Sequence, residues 1–102
     1  MKTFFVLALL VGTQAFAALP GGDTLFQAKC AACHGATGVN PNPMYPNLAG
    51  QKVGYLFQQL KDFRDGKRQG TVMPNMANGL TDEQIAALAG YISSLSPCHA
   101  DF

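Results

Sequence analysis

At 102 residues, with seven Lys and Arg against six Asp and Glu, the chain has room for one domain and one small core, not for a separate catalytic module. The basic residues form no stripe able to neutralise a phosphate backbone, which excludes nucleic acid as a partner. Nor do they form the cationic helix face that would lie on a membrane surface.

Residues 1–17 read as a secretory signal peptide: Lys2, an apolar run from Phe4 to Val11, then Ala15-Phe16-Ala17 in small-residue cleavage register. The run is short for a bilayer span and no second one follows, so the chain is expected to be exported to the periplasm, with no membrane insertion after cleavage. Loss of Lys2 leaves residues 18–102 formally neutral. A domain of that size is marginal for a self-sufficient core, which points to a disulfide, metal or cofactor as reinforcement.

Three helices are expected, separated by long loops rich in Gly and Pro, with no period-two strand pattern; the class is all-α. The first runs from about Asp23, an N-cap candidate after Gly21 and Gly22, to the region of His34, with Phe26 one turn before Cys30 on the same face. The second, from about Lys52 to Asp65, carries Val53, Leu56, Phe57, Leu60 and Phe63 as an apolar stripe and ends at Gly66, a left-handed stop. The third opens on Thr81 with Gln84 three residues on, a capping-box pair, and places Asp82 and Glu83 at the positive end of the helix dipole. Its buried face is Ile85, Leu88, Ala89, Ile92 and Leu95, and Ser96-Pro97 stops it, so that each helix keeps one wet face. The two loops, Gly35 to Gln51 and Gly66 to Leu80, are long enough to need something to wrap around.

Chemistry concentrates at Cys30-Ala31-Ala32-Cys33-His34, the C-x-x-C-H spacing of covalent haem attachment. Positions i, i+3 and i+4 share a helix face, so two thiols can add to the porphyrin vinyl groups while the imidazole reaches iron. A redox-active disulfide would need a βαβ context that is missing. A zinc site would have to add Cys98 or His99 to complete four ligands.

A second axial ligand must come from elsewhere in the chain. The soft thioethers of Met73 and Met76, both in the loop before the last helix, are the candidates; Met44 lies in the loop expected on the histidine side. Of the pair, Met73 is preferred and Met76 is the alternative.

The pattern resembles class I c-type cytochromes, and within them one domain of the periplasmic dihaem tandem-domain cytochromes c. It is carried by Leu25-Phe26, the haem motif, Tyr45-Pro46-Asn47-Leu48-Ala49-Gly50-Gln51, Tyr55-Leu56, Gln59-Leu60-Lys61-Asp62-Phe63-Arg64, Gly66, the methionine loop and Leu80 to Leu95. The resemblance implies a small cytochrome c fold around one haem c, with His34 and Met73 as axial iron ligands, Met73 standing seven residues before Leu80. It further implies that the Pro46 carbonyl accepts a hydrogen bond from the His34 nitrogen facing away from iron. Gly22 and Phe26 would meet the last helix near Ala89 and Tyr91, and Arg64 and Arg68 would pair with haem propionates or else serve as cations at a negative helix end or on a solvated face.

With both axial positions filled by protein, no catalytic residues are expected, and the implied role is a soluble one-electron carrier between respiratory donors and acceptors. It would dock transiently on redox proteins through a small, mostly apolar patch to which Tyr45, Met76 and Ala77 contribute, unless these three pack in the haem pocket instead. The alternatives are a haem enzyme or gas-binding protein with an open sixth position, and an electron-transfer subunit of a larger respiratory complex. The chain departs from the tandem pattern in carrying one haem motif. Its odd Cys98 is a candidate for a dimer-forming disulfide or for a stray buried thiol.

Overall fold

A computed structural model of the chain describes Thr3 and residues 19–98; the rest of the expected signal peptide, and His99 onwards, lie outside the described residues. Among the described residues the order is α1 Gly22–Lys29, α2 Ala31–His34, α3 Val53–Arg64, α4 Met73–Ala77 and α5 Asp82–Ser94, with no strand. No helix among them is long and apolar enough to cross a membrane.

The last helix organises the rest. Thr81 caps it, accepting from the Gln84 backbone, while the Gln84 side chain accepts from the Thr81 backbone, the reciprocal box expected from the sequence. Both α1 and α3 pack on α5. It therefore buries more than a stripe: Ala87 and Gly90 are enclosed together with Ile85, Leu88, Ala89 and Ile92. Small side chains at these positions let neighbouring backbones approach from more than one side, which periodicity alone does not reveal.

Helix α1 makes the closest approach. Gly22 lies so near the Ala87 carbonyl that a Cβ at this position would run into it, and Tyr91 stands just beyond. Phe26 is fully buried, with its ring 5.4 Å from that of Tyr91. The crossing thus falls at Ala87 and Tyr91.

The boundaries differ from the sequence reading in three places. Gly21, at φ 87°, takes the N-cap position, so Asp23 falls in the first turn, where its charge still suits the dipole. The single long first helix is two, interrupted at Cys30, which takes φ −116°; Cys30 N donates to Phe26 O at 2.8 Å and His34 N to Cys30 O at 2.9 Å on either side of the break. The methionine loop contains a helical turn, α4, which the residues Met73-Pro74 start: proline lacks an N–H that the first turn does not need and brings a pre-set φ. Gly66 holds the left-handed stop after α3, at φ 75°.

The helices bury a core of Phe26, Leu56, Ala77, Leu80, Ile85, Leu88, Ala89 and Ile92. Around it Leu25, Ala31, Val53, Phe57, Leu60 and Phe63 are only partly covered. Of the apolar stripe on α3, Leu56 alone is buried.

Substituting Gly22 tests the tightest of these contacts. Gly22→Ala is expected to destabilise the protein by about 1–3 kcal/mol, the range of core overpacking, read as a lowered thermal midpoint; an unchanged midpoint would mean that α1 and α5 are not so closely apposed.

Candidate haem-attachment site

Cys30, Cys33 and His34 occupy one turn at the end of the α1–α2 segment. Both cysteines are free and half-buried, whereas His34 is the buried polar residue of the core. Burial holds the Cys30 thiol up from its ordinary pKa, with the nearby Lys29 charge opposing that shift. Before any sulfur bond forms, Cys30 is therefore predominantly a protonated thiol at neutral pH.

The imidazole is oriented by the following loop. His34 Nδ1 lies 2.9 Å from Pro46 O. A carbonyl can only accept, so Nδ1 carries the proton and Nε2 keeps its lone pair for a metal. Tyr45 stands edge-on to the imidazole with ring centroids 6.5 Å apart.

Polar bonds that begin and end close to the motif hold the loop Gly35 to Gln51 in place. Asn40 donates from Nδ2 to Cys33 O at 2.6 Å, and its backbone N–H donates to Asn47 Oδ1 at 2.9 Å. Asn40 Oδ1 accepts from Asn42 N, and Asn42 Oδ1 from Met44 N. These side-chain bonds supply partners that an irregular backbone cannot supply to itself. Leu48 N and Ala49 N converge on Gly38 O, and Gly50 N donates to Ile92 O, which anchors the loop to α5. Asn40 and Asn47 therefore help to place the Pro46 carbonyl. Sequence reading passed over Asn40, and its signal was the Asn-Pro-Asn-Pro pattern from 40 to 43, a run of turn formers.

The remaining candidates separate. Met73 opens α4 and is half-buried; Met76, one turn later, is 36% exposed, and Met44 is 80% exposed. Ala77 is fully buried, so it forms no part of a docking patch: its small side chain fills the contact between α4 and the core. Arg64 is engaged by Asp65, Asp82 and the Leu80 carbonyl. Arg68 donates to Gln59 Oε1 at 2.8 Å and lies 4.5 Å from the Phe63 ring centre. Cys98 is exposed, not buried.

Among the described residues no three His, Cys, Asp or Glu side chains gather as a metal cluster; Cys98 does not join Cys30, Cys33 and His34. The donor set is instead two thiols and one tautomerically fixed imidazole, beside a rim of half-covered apolar side chains. That set suits a large apolar macrocycle with one metal at its centre, and it does not suit a bare ion.

The family model for cytochrome c matches residues 21–96. The chain belongs to the cytochrome c family, and its cofactor is haem c, for which Cys30, Cys33 and His34 form the C-x-x-C-H attachment motif. It is similar to cytochrome c4 of Pseudomonas aeruginosa, 40% identical over 96 residues that cover 91% of this chain and 48% of the relative. Cytochrome c-554(548) of Halomonas halodenitrificans is 50% identical over 68 residues, 64% of this chain and 82% of that one. The crystal structure of reduced cytochrome c4 from Pseudomonas stutzeri superimposes with a TM-score of 0.69 at 35% identity, over 80% of this chain and 49% of that chain. The chain thus spans about half the length of the cytochromes c4, in keeping with one domain of a tandem cytochrome.

The raised pKa of Cys30 leads to an ordering of thiol reactivity in protein produced without haem. Iodoacetamide at pH 8 should label exposed Cys98 faster than Cys30, and the gap should narrow as pH rises toward the Cys30 pKa. Equal rates at pH 8, followed by peptide mass spectrometry, would contradict the burial of that thiol.

Proposed function

We propose that the protein is a periplasmic one-electron carrier and not an enzyme, with iron held between His34 and Met73. The observation that carries this reading is the His34–Pro46 hydrogen bond, which leaves Nε2 as the donor on a helix turn that also bears both attachment cysteines. Haem c supplies an iron that exists in ferric and ferrous states. The chain's own part is to hold that group at fixed geometry and to exclude water from it.

Each residue has a distinct share. Cys30 and Cys33 hold the macrocycle by covalent bonds, and His34 provides a nitrogen whose basicity the Pro46 carbonyl raises. Met73 offers a neutral sulfur that favours the reduced state. Val53, Phe57, Leu60 and Phe63 on α3 give the group an apolar, low-dielectric wall. With two protein ligands in place, substrates have no access to the metal and exchange of single electrons at an exposed edge remains.

Met73 is preferred over Met76 because it is the better shielded of the two and stands at the start of α4, where Pro74 stiffens the backbone. Partners are proposed to be redox proteins met transiently, through a patch that includes Tyr45 and Met76. One relative, 51% identical over 71 residues but matched along only 33% of its length, is the thiosulfate dehydrogenase electron acceptor of Thiomonas intermedia. By analogy, a periplasmic dehydrogenase is the class of donor we propose for this chain. Formal neutrality of residues 18–102 favours apolar docking over electrostatic steering.

The oxidised holoprotein should show a weak absorption band in the red from an iron–thioether bond. Met73→Ala should abolish that band and lower the reduction potential, axial ligands commanding a range of roughly 0.8 V, while Met76→Ala keeps both. The opposite pattern would assign the ligand to Met76, and rapid carbon monoxide binding by the reduced wild type would favour an open-site haem enzyme or gas-binding protein. Partner reduction rates are expected to change little between low and physiological ionic strength, measured by stopped flow; a steep dependence would argue for charged docking.

A further inference from the structure

The guanidinium of Arg64 sits in the last turn of α3 and reaches across to the start of α5. Its Nη1 donates to Leu80 O at 3.1 Å and to Asp82 Oδ1 at 2.6 Å, while Nε and Nη2 donate to the Asp65 carboxylate at 2.8 and 3.2 Å. The Arg64 side chain is 20% exposed, against 38% for Asp65 and 58% for Asp82. Those partners flank the segment that carries both Met73 and Met76.

Within that segment hydrogen bonding is local. Asn75 N and Met76 N donate to Val72 O, and Leu80 N donates to Ala77 O. Among the described residues, the bond from Arg64 to Leu80 O is the one hydrogen bond joining residues 69–80 to any other part of the chain. Apolar contacts of Ala77 and Leu80 with the core do the rest. Apolar packing is weakly directional, so a loop held by it alone can slide or peel away from a ligand position.

We propose that Arg64 is a positioning residue for the methionine ligand, a staple that closes the base of the methionine loop and so keeps the sulfur on iron. The proposal rests on axial ligation by a methionine of this segment. Closing the base shortens the span that must be ordered for the sulfur to reach its place, and ordering cost grows with loop length. Arginine suits the task because its planar fork bonds two carboxylates and a carbonyl at once, which a lysine ammonium does not reproduce. Engagement by two aspartates also makes Arg64 the less available of the two arginines for a propionate.

The test compares wild-type holoprotein with Arg64→Ala, Arg64→Lys, Asp82→Asn and Met73→Ala. Three quantities are read: the pH at which the red band is lost, the rate of carbon monoxide binding to the reduced form, and helix content by circular dichroism under the same conditions. Arg64→Ala is expected to lose the band at lower pH and to bind carbon monoxide about tenfold faster, the scale of one charge-assisted hydrogen bond lost. Arg64→Lys and Asp82→Asn should fall between it and the wild type, all with helix content retained. A band unmoved in Arg64→Lys and Asp82→Asn, or lost only together with helix content, overturns the staple while leaving methionine ligation intact. Arg64→Ala shifting the potential at unchanged band and carbon monoxide rate, with Asp82→Asn silent, would assign Arg64 to a propionate instead and also overturns it. If the wild type lacks the band and binds carbon monoxide rapidly, methionine ligation fails and the staple with it.

Discussion

The imidazole of His34 has two nitrogens, and the carbonyl of Pro46 claims one of them. That single bond settles the tautomer, the ring orientation and the direction of the remaining lone pair. Everything around it serves to keep a carbonyl twelve residues away within hydrogen-bond reach. Asn40 ties the loop to the motif at Cys33, Asn47 braces Asn40, Gly38 turns the chain so that Leu48 and Ala49 can bond back, and Gly50 fastens the loop to α5. The loop is irregular in conformation but closely bonded, which is what a positioned ligand requires of its support.

Helix α5 performs the corresponding task for the core. It receives α1 through the Gly22 and Phe26 contacts, α3 through Leu56, and the Pro46-bearing loop through the Ile92 carbonyl. Its capping box starts it at a defined residue, and Asp82 in its first turn meets Arg64 from the end of α3. The two segments proposed to carry axial ligands are thus both tied to one helix, the first by the packing of Gly22 and Phe26 and by the single Gly50–Ile92 hydrogen bond of its bracing loop, the second through a guanidinium. Of the α3 stripe this arrangement buries Leu56 alone and leaves Val53, Phe57, Leu60 and Phe63 as a partly covered apolar rim.

Several features were legible from residue types because their causes are local. The capping box at Thr81 and Gln84, the left-handed stop at Gly66 and the helical register of Cys30, Cys33 and His34 follow from hydrogen-bond and steric rules that operate within a few residues. Others were not. The turn of helix at Met73 to Ala77 is too short to show a period, and the break at Cys30 has no breaker residue to announce it; it shows only in the structure, where Cys30 takes φ −116° and Cys33 N bonds three residues back to Cys30 O. Residue type leaves Ala77 between a docking patch and packing, and its full burial depends on what packs against α4, neighbours that are remote in sequence.

Sequence alone determined the all-α class, the attachment motif and the family, since each depends on residue identity at fixed short spacing. The Pro46 contact and the α1–α5 crossing could be anticipated only by resemblance, because they join residues whose separation carries no periodic signal. Tertiary structure alone decided that Asn40 braces the histidine loop and that Arg64 bridges α3 to Leu80 and Asp82. A side chain's hydrogen-bond partner is selected by three-dimensional proximity, and an asparagine or arginine offers the same donors wherever the fold happens to carry it.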